Sequence, residues 1–403
     1  MHKFMTNPLL RTTMVSACAA AMMAAAGHAG AAPHVPATDA QVLERLPFEP
    51  NDPVAREMAQ LRGQLQRDPR QQDIAVQLAR RYYDMVGEEG DPRYLGYAQA
   101  ALAPWWNMPQ PPVEVQVLRA SLGQFRHDFA GANSDLSQVL EREPRHVRAR
   151  ILRAILAIVQ ARYAPARADC VALHGLTSDL LAVACEAAVD GLTGKAAPAY
   201  ATLNAALEHA SDASRDEKMW VLLRLAELAQ RQGKTTQVES HLRRAMALGV
   251  VDTFLYSAYT DFLLDQGRAA EVVTLLKDRT RSDSLLLRLV LATRALKLPQ
   301  AKEHEATLAA RYAAAALRGD TVHQGEEARF ALAVQGDAKR SLKLALENWK
   351  VQLEPRDARV VLEAAVALKD APAAAPVLQW LTQNHNEDRT LNMLAAQLNG
   401  GQR

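Results

Sequence analysis

Apolar residues recur along most of the chain at the three- and four-residue spacing of amphipathic helices. Leu136, Val139 and Leu140 would share one helix face, and residues 203–207 repeat the arrangement. Alanine and leucine supply most of the apolar positions, and runs of β-branched residues are few. The pattern therefore predicts an all-α protein and argues against a β-sandwich or β-barrel.

The helical pattern itself repeats with a fixed period. The interval from Ala120 to Ala154 equals the interval from Gly233 to Gly267. This interval of about 34 residues falls in the range of periods that indicates a stacked repeat array. A small residue lets two helices cross closely, and a glycine at a turn accepts a positive φ angle. One such unit cannot bury its own apolar faces, so consecutive units must stack against each other.

A unit of this length, built from two antiparallel helices, resembles the tetratricopeptide repeat. The resemblance implies a right-handed superhelical solenoid of antiparallel helix pairs, with about nine repeats over residues 70–400. Residues 32–69 would form an N-terminal segment with a lone capping helix, and the unit at 287–320 matches the pattern poorly. A generic bundle rich in alanine and leucine is the alternative, but it would lack the fixed spacing.

Residues 1–31 have the layout of a secretory signal peptide. Lys3 and Arg11 form a basic lead, an apolar helix-forming run follows, and small residues end the segment. Cleavage after Ala29 or Ala31 would deliver the mature chain to the periplasm. A membrane anchor is the alternative, but the apolar run is shorter than the roughly 20 residues that span a bilayer.

The three cysteines also bear on export and on anchoring to the membrane. Residues 15–18 resemble the lipobox of bacterial lipoproteins, so a lipid anchor at Cys18 is a second, less favoured alternative, because the apolar run after Arg11 is short. Cys170 and Cys185 are close enough in the sequence to lie on neighbouring helices, which allows a disulfide in an oxidising compartment. Two free buried cysteines are equally compatible with the sequence.

The net charge of the chain limits the classes of partner that it is expected to bind. The chain has 47 basic and 45 acidic residues, and removal of residues 1–31 leaves 45 of each. A neutral mature chain lacks the positive field that attracts nucleic acid, so we expect no nucleic-acid partner. No further apolar run reaches about 18 residues, so we expect no transmembrane span in the mature chain.

Motifs for catalysis or cofactor binding are missing from the sequence. HExxH, GxSxG and GxGxxG do not occur, and histidines beyond residue 31 are widely spaced. The stretch from Gly233 to Thr235 mimics the end of a phosphate loop, but Leu228 replaces its first glycine. We therefore predict a protein that is not an enzyme and has no cofactor or metal. An enzyme whose site is scattered over several repeats is the alternative.

The resemblance also implies where a partner would bind. Tetratricopeptide proteins present the first helix of each unit on the concave side of the superhelix, where other proteins or peptides bind. Carried onto this sequence, the groove positions are Gln77, Arg80, Val117, Gln124, Arg148, Ile151, Ile155, Leu223, Glu227, Arg231, Ser257 and Asp261. Residues 149–160 are almost wholly apolar, which predicts either burial in the stack or an apolar floor for a ligand.

Together these features predict an exported scaffold or adaptor that binds proteins or peptides and has no catalysis of its own. Self-assembly through the terminal repeats, into a structural component of the cell envelope, is the alternative. The partner, the oligomeric state and the bonding of the two later cysteines are open at this point.

Overall fold

The computed structural model describes residue 38 and residues 52–400, so the predicted signal peptide and Cys18 lie outside the described residues. Within this part of the chain all regular structure is helical, and no strand occurs. The α-helices are α1 (Pro53–Arg67), α2 (Gln72–Glu89), α3 (Arg93–Ala101), α4 (Ala103–Trp106), α5 (Val113–Phe125), α6 (Phe129–Arg142), α7 (Val147–Val159), α8 (Tyr163–Val171), α9 (Asp179–Asp190), α10 (Ala196–His209), α11 (Arg215–Arg231), α12 (Thr235–Ala247), α13 (Thr253–Asp265), α14 (Ala269–Leu276), α15 (Asp283–Ala295), α16 (Ala301–Leu317), α17 (Gln324–Ala333), α18 (Ala338–Trp349), α19 (Pro355–Leu368), α20 (Ala375–Gln383) and α21 (Arg389–Gly400). A short 3₁₀-helix, Pro372–Ala374, precedes α20.

Consecutive helices pack in pairs. The pairs are α2 with α3, α5 with α6, α7 with α8, α9 with α10, α11 with α12, α13 with α14, α15 with α16, and α17 with α18, and α19 packs against α21. The first helices of most neighbouring pairs also touch, as α5 and α7 do. The all-α architecture of packed helix pairs predicted from the sequence is therefore confirmed. All contacts described below lie in the compact unit that begins at Glu57.

The turn inside each pair depends on one residue with left-handed backbone. Gly233 and Gly267 have φ angles of 69° and 70° at matching places in two pairs. His127 and Ala161 adopt φ angles of 58° and 54° in the turns of α5/α6 and α7/α8. A residue with a Cβ atom loses about 1–2 kcal/mol in this conformation, so the surrounding packing must hold it in place.

The small residues of the predicted pattern lie where helices cross. Ala120 and Ala154 are buried on α5 and α7, and Ala132 and Ala166 are buried on the partner helices α6 and α8. Large apolar residues such as Leu136 fill the space beside them. The repeat period thus marks positions at which a larger side chain would separate the helices.

The two later cysteines form a disulfide. Cys170 on α8 and Cys185 on α9 have Cα atoms 5.3 Å apart, and both side chains are buried. The bond joins the second helix of one pair to the first helix of the next. Of the two states that the sequence left open, the structure contains the bridged one.

Helix pairs that are distant in the sequence also touch. The backbone N–H of Leu353 donates to the carbonyl oxygen of Val159 at 2.8 Å, and the N–H of Ala196 donates to Glu387 at 2.7 Å. We call residues 351–391 the C-terminal segment, and it lies on the turns of the pairs α7/α8 and α9/α10. Each of these turns is therefore in contact with a part of the chain that lies far away in the sequence.

A second long-range contact joins α2 to α13. The hydroxyl of Thr253 donates to the carbonyl oxygen of Gly87, and the rings of Phe125 and Phe254 have centroids 6.4 Å apart. These contacts tie the start of α13 to the ends of α2 and α5, which precede it by more than a hundred residues.

Candidate binding site

Several of the predicted groove positions are engaged in helix packing. Val117, Leu223 and Arg231 are buried. Ile151 is half-buried and packs against an apolar cluster shared by α7 and α19, and Ile155 packs against the cluster of α5, α6 and α7. The apolar run of α7 is therefore packed by other parts of this chain, including later helices.

Among the predicted polar positions on α2, α5 and α7, the two arginines contact other side chains of the chain. Arg80 forms an ion pair with Glu114, and the guanidinium carbon of Arg148 lies 5.8 Å from the centroid of the Tyr83 ring. Gln77 is exposed and Gln124 is half-buried. Both arginines thus already contact groups of this chain.

Glu227 forms ion pairs with two arginines of its own helix, α11. Its carboxylate lies 2.5 Å from Arg224 and 3.8 Å from the buried Arg231. Burial lowers the pKa of Arg231, and the nearby carboxylates of Glu227 and Asp388 oppose this shift. The arrangement fixes α11 beside the start of α21, which it contacts.

The last two predicted positions, Ser257 and Asp261, belong to one polar cluster. Asp261 on α13 accepts a hydrogen bond from Arg288 of α15 at 2.6 Å and one from Arg329 of α17 at 2.6 Å. One aspartate therefore joins three successive first helices. We call this group the polar cluster; its members are Ser257, Asp261, Ser284, Arg288, Glu326 and Arg329.

The remaining bonds of the polar cluster run through Arg288 and Ser284. Arg288 donates to Glu326 at 2.9 Å and to the Ser284 hydroxyl at 3.0 Å. Ser284 donates to Glu326 at 2.7 Å, and the hydroxyls of Ser257 and Ser284 lie 3.1 Å apart. The cluster is thus a closed network with two positive and two negative charges.

Most members of the polar cluster keep an accessible edge. The side chains of Asp261, Glu326 and Arg329 are 29%, 28% and 21% exposed, whereas that of Arg288 is 8% exposed. Arg288 is the buried centre, and the other three charges surround it. Asp261 uses two of the roughly four acceptor positions of a carboxylate, so it can accept further donors.

The charges of the polar cluster stabilise one another. Burial raises the pKa of Asp261, but Arg288 and Arg329 lower it, and the resulting pKa is about 2. The pKa of Glu326 is also lowered, because the effect of Arg288 and Ser284 exceeds that of burial. Burial lowers the pKa of Arg288, but Asp261 and Glu326 raise it above the usual range. All of these groups are charged at neutral pH.

This electrostatic state suits binding better than proton transfer. A general base works best with a pKa near the operating pH, and the carboxylates of Asp261 and Glu326 are much weaker bases than that. Ser284 donates to the ionised Glu326, an arrangement without the basic partner that activates a nucleophilic serine. The cluster can instead present fixed charges and hydrogen-bonding groups to a ligand.

Four members of the polar cluster were missed by the sequence analysis, namely Ser284, Arg288, Glu326 and Arg329. Glu326 and Arg329 lie on α17, beyond the last predicted groove position, and Ser284 and Arg288 lie on α15, which the predicted repeat register placed inaccurately. Helix α15 begins at Asp283, before the start of the unit predicted at 287–320. Locating the N-cap at Ser282, whose hydroxyl accepts from the N–H of Leu285, would have corrected the register.

In residues 52–400 no three His, Cys, Asp or Glu side chains come together in a way that could hold a metal ion. No helix of the same described residues has the length and apolarity needed to cross a bilayer.

The helix pairs define the class of protein, an α-helical repeat protein built like the tetratricopeptide repeat proteins that its sequence resembles. No family model matches the sequence, and no curated protein matches it.

Solved structures similar to this chain include a tetratricopeptide repeat protein from Parabacteroides merdae. The two are 16% identical, the match covers 63% of this chain and 90% of that one, and the TM-score is 0.42. The human IFIT1 dimer with PPP-AAAA is 15% identical over 84% of this chain and 87% of that one, with a TM-score of 0.36. Yeast Tom70 is 12% identical over 87% of this chain and 96% of that one, with a TM-score of 0.31.

Proposed function

We propose that this protein is a non-catalytic scaffold that binds other proteins or peptides, and that the polar cluster is its principal contact. The observation that carries the proposal is the joining of α13, α15 and α17 by ion pairs whose outer members stay accessible. Charges held in place by neighbours need little reorganisation when a partner arrives, so less binding energy is lost to ordering.

The balance of charge favours a protein partner. Asp261 and Glu326 offset Arg288 and Arg329, so the cluster offers donors and acceptors side by side. A peptide backbone and mixed charged side chains have the same alternation of donors and acceptors, whereas a nucleic-acid backbone requires an excess of positive charge.

A tagged pull-down after mild in-cell crosslinking tests the proposal with two matched variants. Arg329→Gln removes an accessible member of the polar cluster, which bonds Asp261 at 2.6 Å. Arg294→Gln removes an ion pair of similar length, 2.7 Å to Glu305, outside the cluster. We expect the affinity of the first variant for the partner to fall about tenfold, equivalent to about 1.4 kcal/mol of binding free energy, so that it captures less partner. The second variant should capture as much partner as wild type.

Circular dichroism and thermal melts would show that both variants keep the fold. The proposal is wrong if wild-type protein captures nothing above an untagged control. It is also wrong if the partner is retained equally by both folded variants.

We also propose that the protein is exported to the periplasm and loses residues 1–29 or 1–31. The basic lead, the apolar run and the small residues before Ala31 support a cleaved signal. The disulfide between Cys170 and Cys185 supports an oxidising compartment, where such bonds persist. Fractionation and intact mass would test this, with a mature N-terminus at Gly30 or Ala32 as the expected result. An unprocessed cytoplasmic chain, or a lipidated Cys18, would contradict it.

A further inference from the structure

A pocket separate from the polar cluster lies between α8 and the turn that joins α9 to α10. Its volume is about 780 Å³. The lining residues that matter here are Ala164, Arg167, Ala168 and Val171 on α8, with Val189 and Lys195 opposite them. We call it the α8 pocket, and none of its residues belongs to the polar cluster.

The α8 wall of the pocket is one face of a helix. Its lining positions follow the i, i+3, i+4, i+7 spacing that places side chains on a common face. Ala164 and Ala168 are small and exposed, so the backbone of a ligand can approach α8 closely. Val171 is 52% exposed, and the fully buried Val189 lies beneath the opposite side of the pocket. The pocket is therefore apolar along its length and open on one side.

The rim of the pocket has an excess of positive charge. Arg167 donates to Asp190, and the Nζ atom of Lys195 lies 3.8 Å from the same carboxylate oxygen. The side chains of Arg167 and Lys195 are 35% and 60% exposed. Two cations thus share one carboxylate, and a second carboxylate from a ligand would complete the charge balance.

The pocket offers few partners for an extended backbone. One wall is the side of α8, whose backbone groups are bonded within the helix. The other includes the turn after α9, where the backbone N–H groups of Thr193 and Lys195 already donate to the carbonyl oxygen of Asp190. The hydroxyl of Thr193, which also lines the pocket, already donates to the carbonyl oxygen of Val189 at 2.9 Å. A ligand that satisfies its own backbone hydrogen bonds fits this surface better than a strand does.

We propose that the α8 pocket binds an α-helix of a partner protein that has apolar side chains one turn apart and an aspartate or glutamate beside them. The face from Ala164 to Val171 is about 10 Å long at 1.5 Å per residue, which matches two turns of a helix. The apolar side chains would fill the space over Ala168, and the carboxylate would bind between Arg167 and Lys195.

Designed helical peptides of about 20 residues, acetylated and amidated so that no terminal charge contributes, are the probes. One has leucines four residues apart flanked by glutamates; the second has glutamine and the third lysine in place of glutamate. Fluorescence anisotropy with the full mature chain would measure their affinities. We expect the glutamate peptide to bind at least about tenfold tighter than the glutamine peptide, because it alone supplies the missing carboxylate.

Two variants locate the binding. Ala168→Trp fills the pocket and should abolish binding, whereas Ala270→Trp changes an exposed alanine on α14 and should not. Lys195→Glu should reverse the charge preference, so that the lysine peptide becomes the tighter ligand. Since Lys195 is exposed, this variant is expected to fold, which circular dichroism would verify.

Equal binding of the three peptides, or binding that survives Ala168→Trp, would overturn the proposal. Dodecanoate is the comparison ligand for a lipid-like carboxylate. If dodecanoate binds to wild type but not to Ala168→Trp, and no peptide binds, the pocket binds a small amphiphile and the proposal of a helical partner is wrong. Because the pocket and the polar cluster share no residue, the pull-down with Arg329→Gln gives an independent result for the proposed scaffold function.

Discussion

The indole N–H of Trp380 donates a hydrogen bond of 3.1 Å to the hydroxyl oxygen of Tyr163, which lies 217 residues earlier in the chain. Both side chains are buried, and the contact joins the C-terminal segment to the start of α8. Burial raises the pKa of Tyr163 to about 12, although the bond from Trp380 acts in the opposite direction. The phenol is therefore neutral at physiological pH and serves as a fixed acceptor.

We expect Trp380→Phe to destabilise the protein by about 2 kcal/mol, because it removes the bond and part of the packing around it. Tyr163→Phe should cost a similar amount, since it leaves the buried indole N–H without an acceptor. A double-mutant cycle followed by urea denaturation should give a coupling energy of about 1 kcal/mol. Trp106→Phe makes the same change at a half-buried tryptophan of α4, outside this contact, and is the control for the loss of an indole ring. A coupling energy near zero would mean that the two residues are neighbours without a bond of consequence.

The parts of the fold that depend on local spacing were predictable from the sequence. The pair Gly233 and Gly267 marked turns because only residues tolerant of positive φ serve there without strain. Buried alanines such as Ala120 and Ala154 recur because two helices cross at each of them. These requirements act within a single repeat unit, so they leave a periodic signal.

The long-range contacts leave no such signal. Nothing in the spacing indicates that Trp380 meets Tyr163, or that Asp261 bonds Arg288 and Arg329. Such contacts depend on how many pairs separate two positions and on small rotations at each step, which accumulate along a repeat array. The family resemblance therefore suggested Ser257 and Asp261 as groove positions but could not supply the arginines that bind Asp261.

Removal of the disulfide should destabilise the mature chain. Cys170 and Cys185 close a loop with a sequence separation of 15, for which chain-entropy arguments give about 3 kcal/mol. The urea midpoint should therefore fall when dithiothreitol is added. The double variant Cys170→Ala/Cys185→Ala should be equally destabilised and insensitive to the reductant. A thiol assay that finds both cysteines free in protein purified from the periplasm would refute the structural role.

His241 should make the protein less stable in mild acid. Its side chain is buried, its Nε2 atom lies 2.8 Å from the Tyr200 hydroxyl, and its pKa is lowered to about 4 by burial and by Arg244. In the unfolded state the imidazole of His241 is protonated near pH 6.5. The neutral ring therefore makes its full contribution to the free energy of unfolding above that pH, and this contribution is lost as the pH falls toward 4. The loss should reach roughly 3 kcal/mol at the acid end of this window.

Thermal melts of wild type and His241→Gln from pH 7 to pH 4 would measure this loss, and the variant should have the flatter profile. His127, half-buried and with its pKa also lowered to about 4, contributes in the same window, so the slope should decrease in the variant without vanishing. Identical slopes for wild type and His241→Gln would show that the ring titrates equally in both states.

Asp261 should control stability at lower pH, in a window separate from that of His241. Its pKa is about 2 in the folded chain, against an ordinary value of 3.8, because Arg288 and Arg329 outweigh the effect of burial. The ionised form is thus favoured by folding, so its contribution is full above about pH 4 and is lost as the pH falls toward 2. A shift of this size is on the order of 2 kcal/mol.

Urea denaturation of wild type and Asp261→Asn at several pH values would isolate this contribution. We expect the variant to be less stable at pH 6, where it leaves Arg288 and Arg329 without their shared carboxylate, and the difference to shrink below pH 4. Arg329→Gln removes one of the two arginines that bond Asp261. Its free energy of unfolding should therefore differ from that of wild type by less than that of Asp261→Asn does at pH 6, and this difference should also shrink below pH 4. If the profiles of wild type and Asp261→Asn stay parallel from pH 6 to pH 2, the arginines do not hold Asp261 in its ionised form, and the electrostatic basis of the polar cluster fails with it.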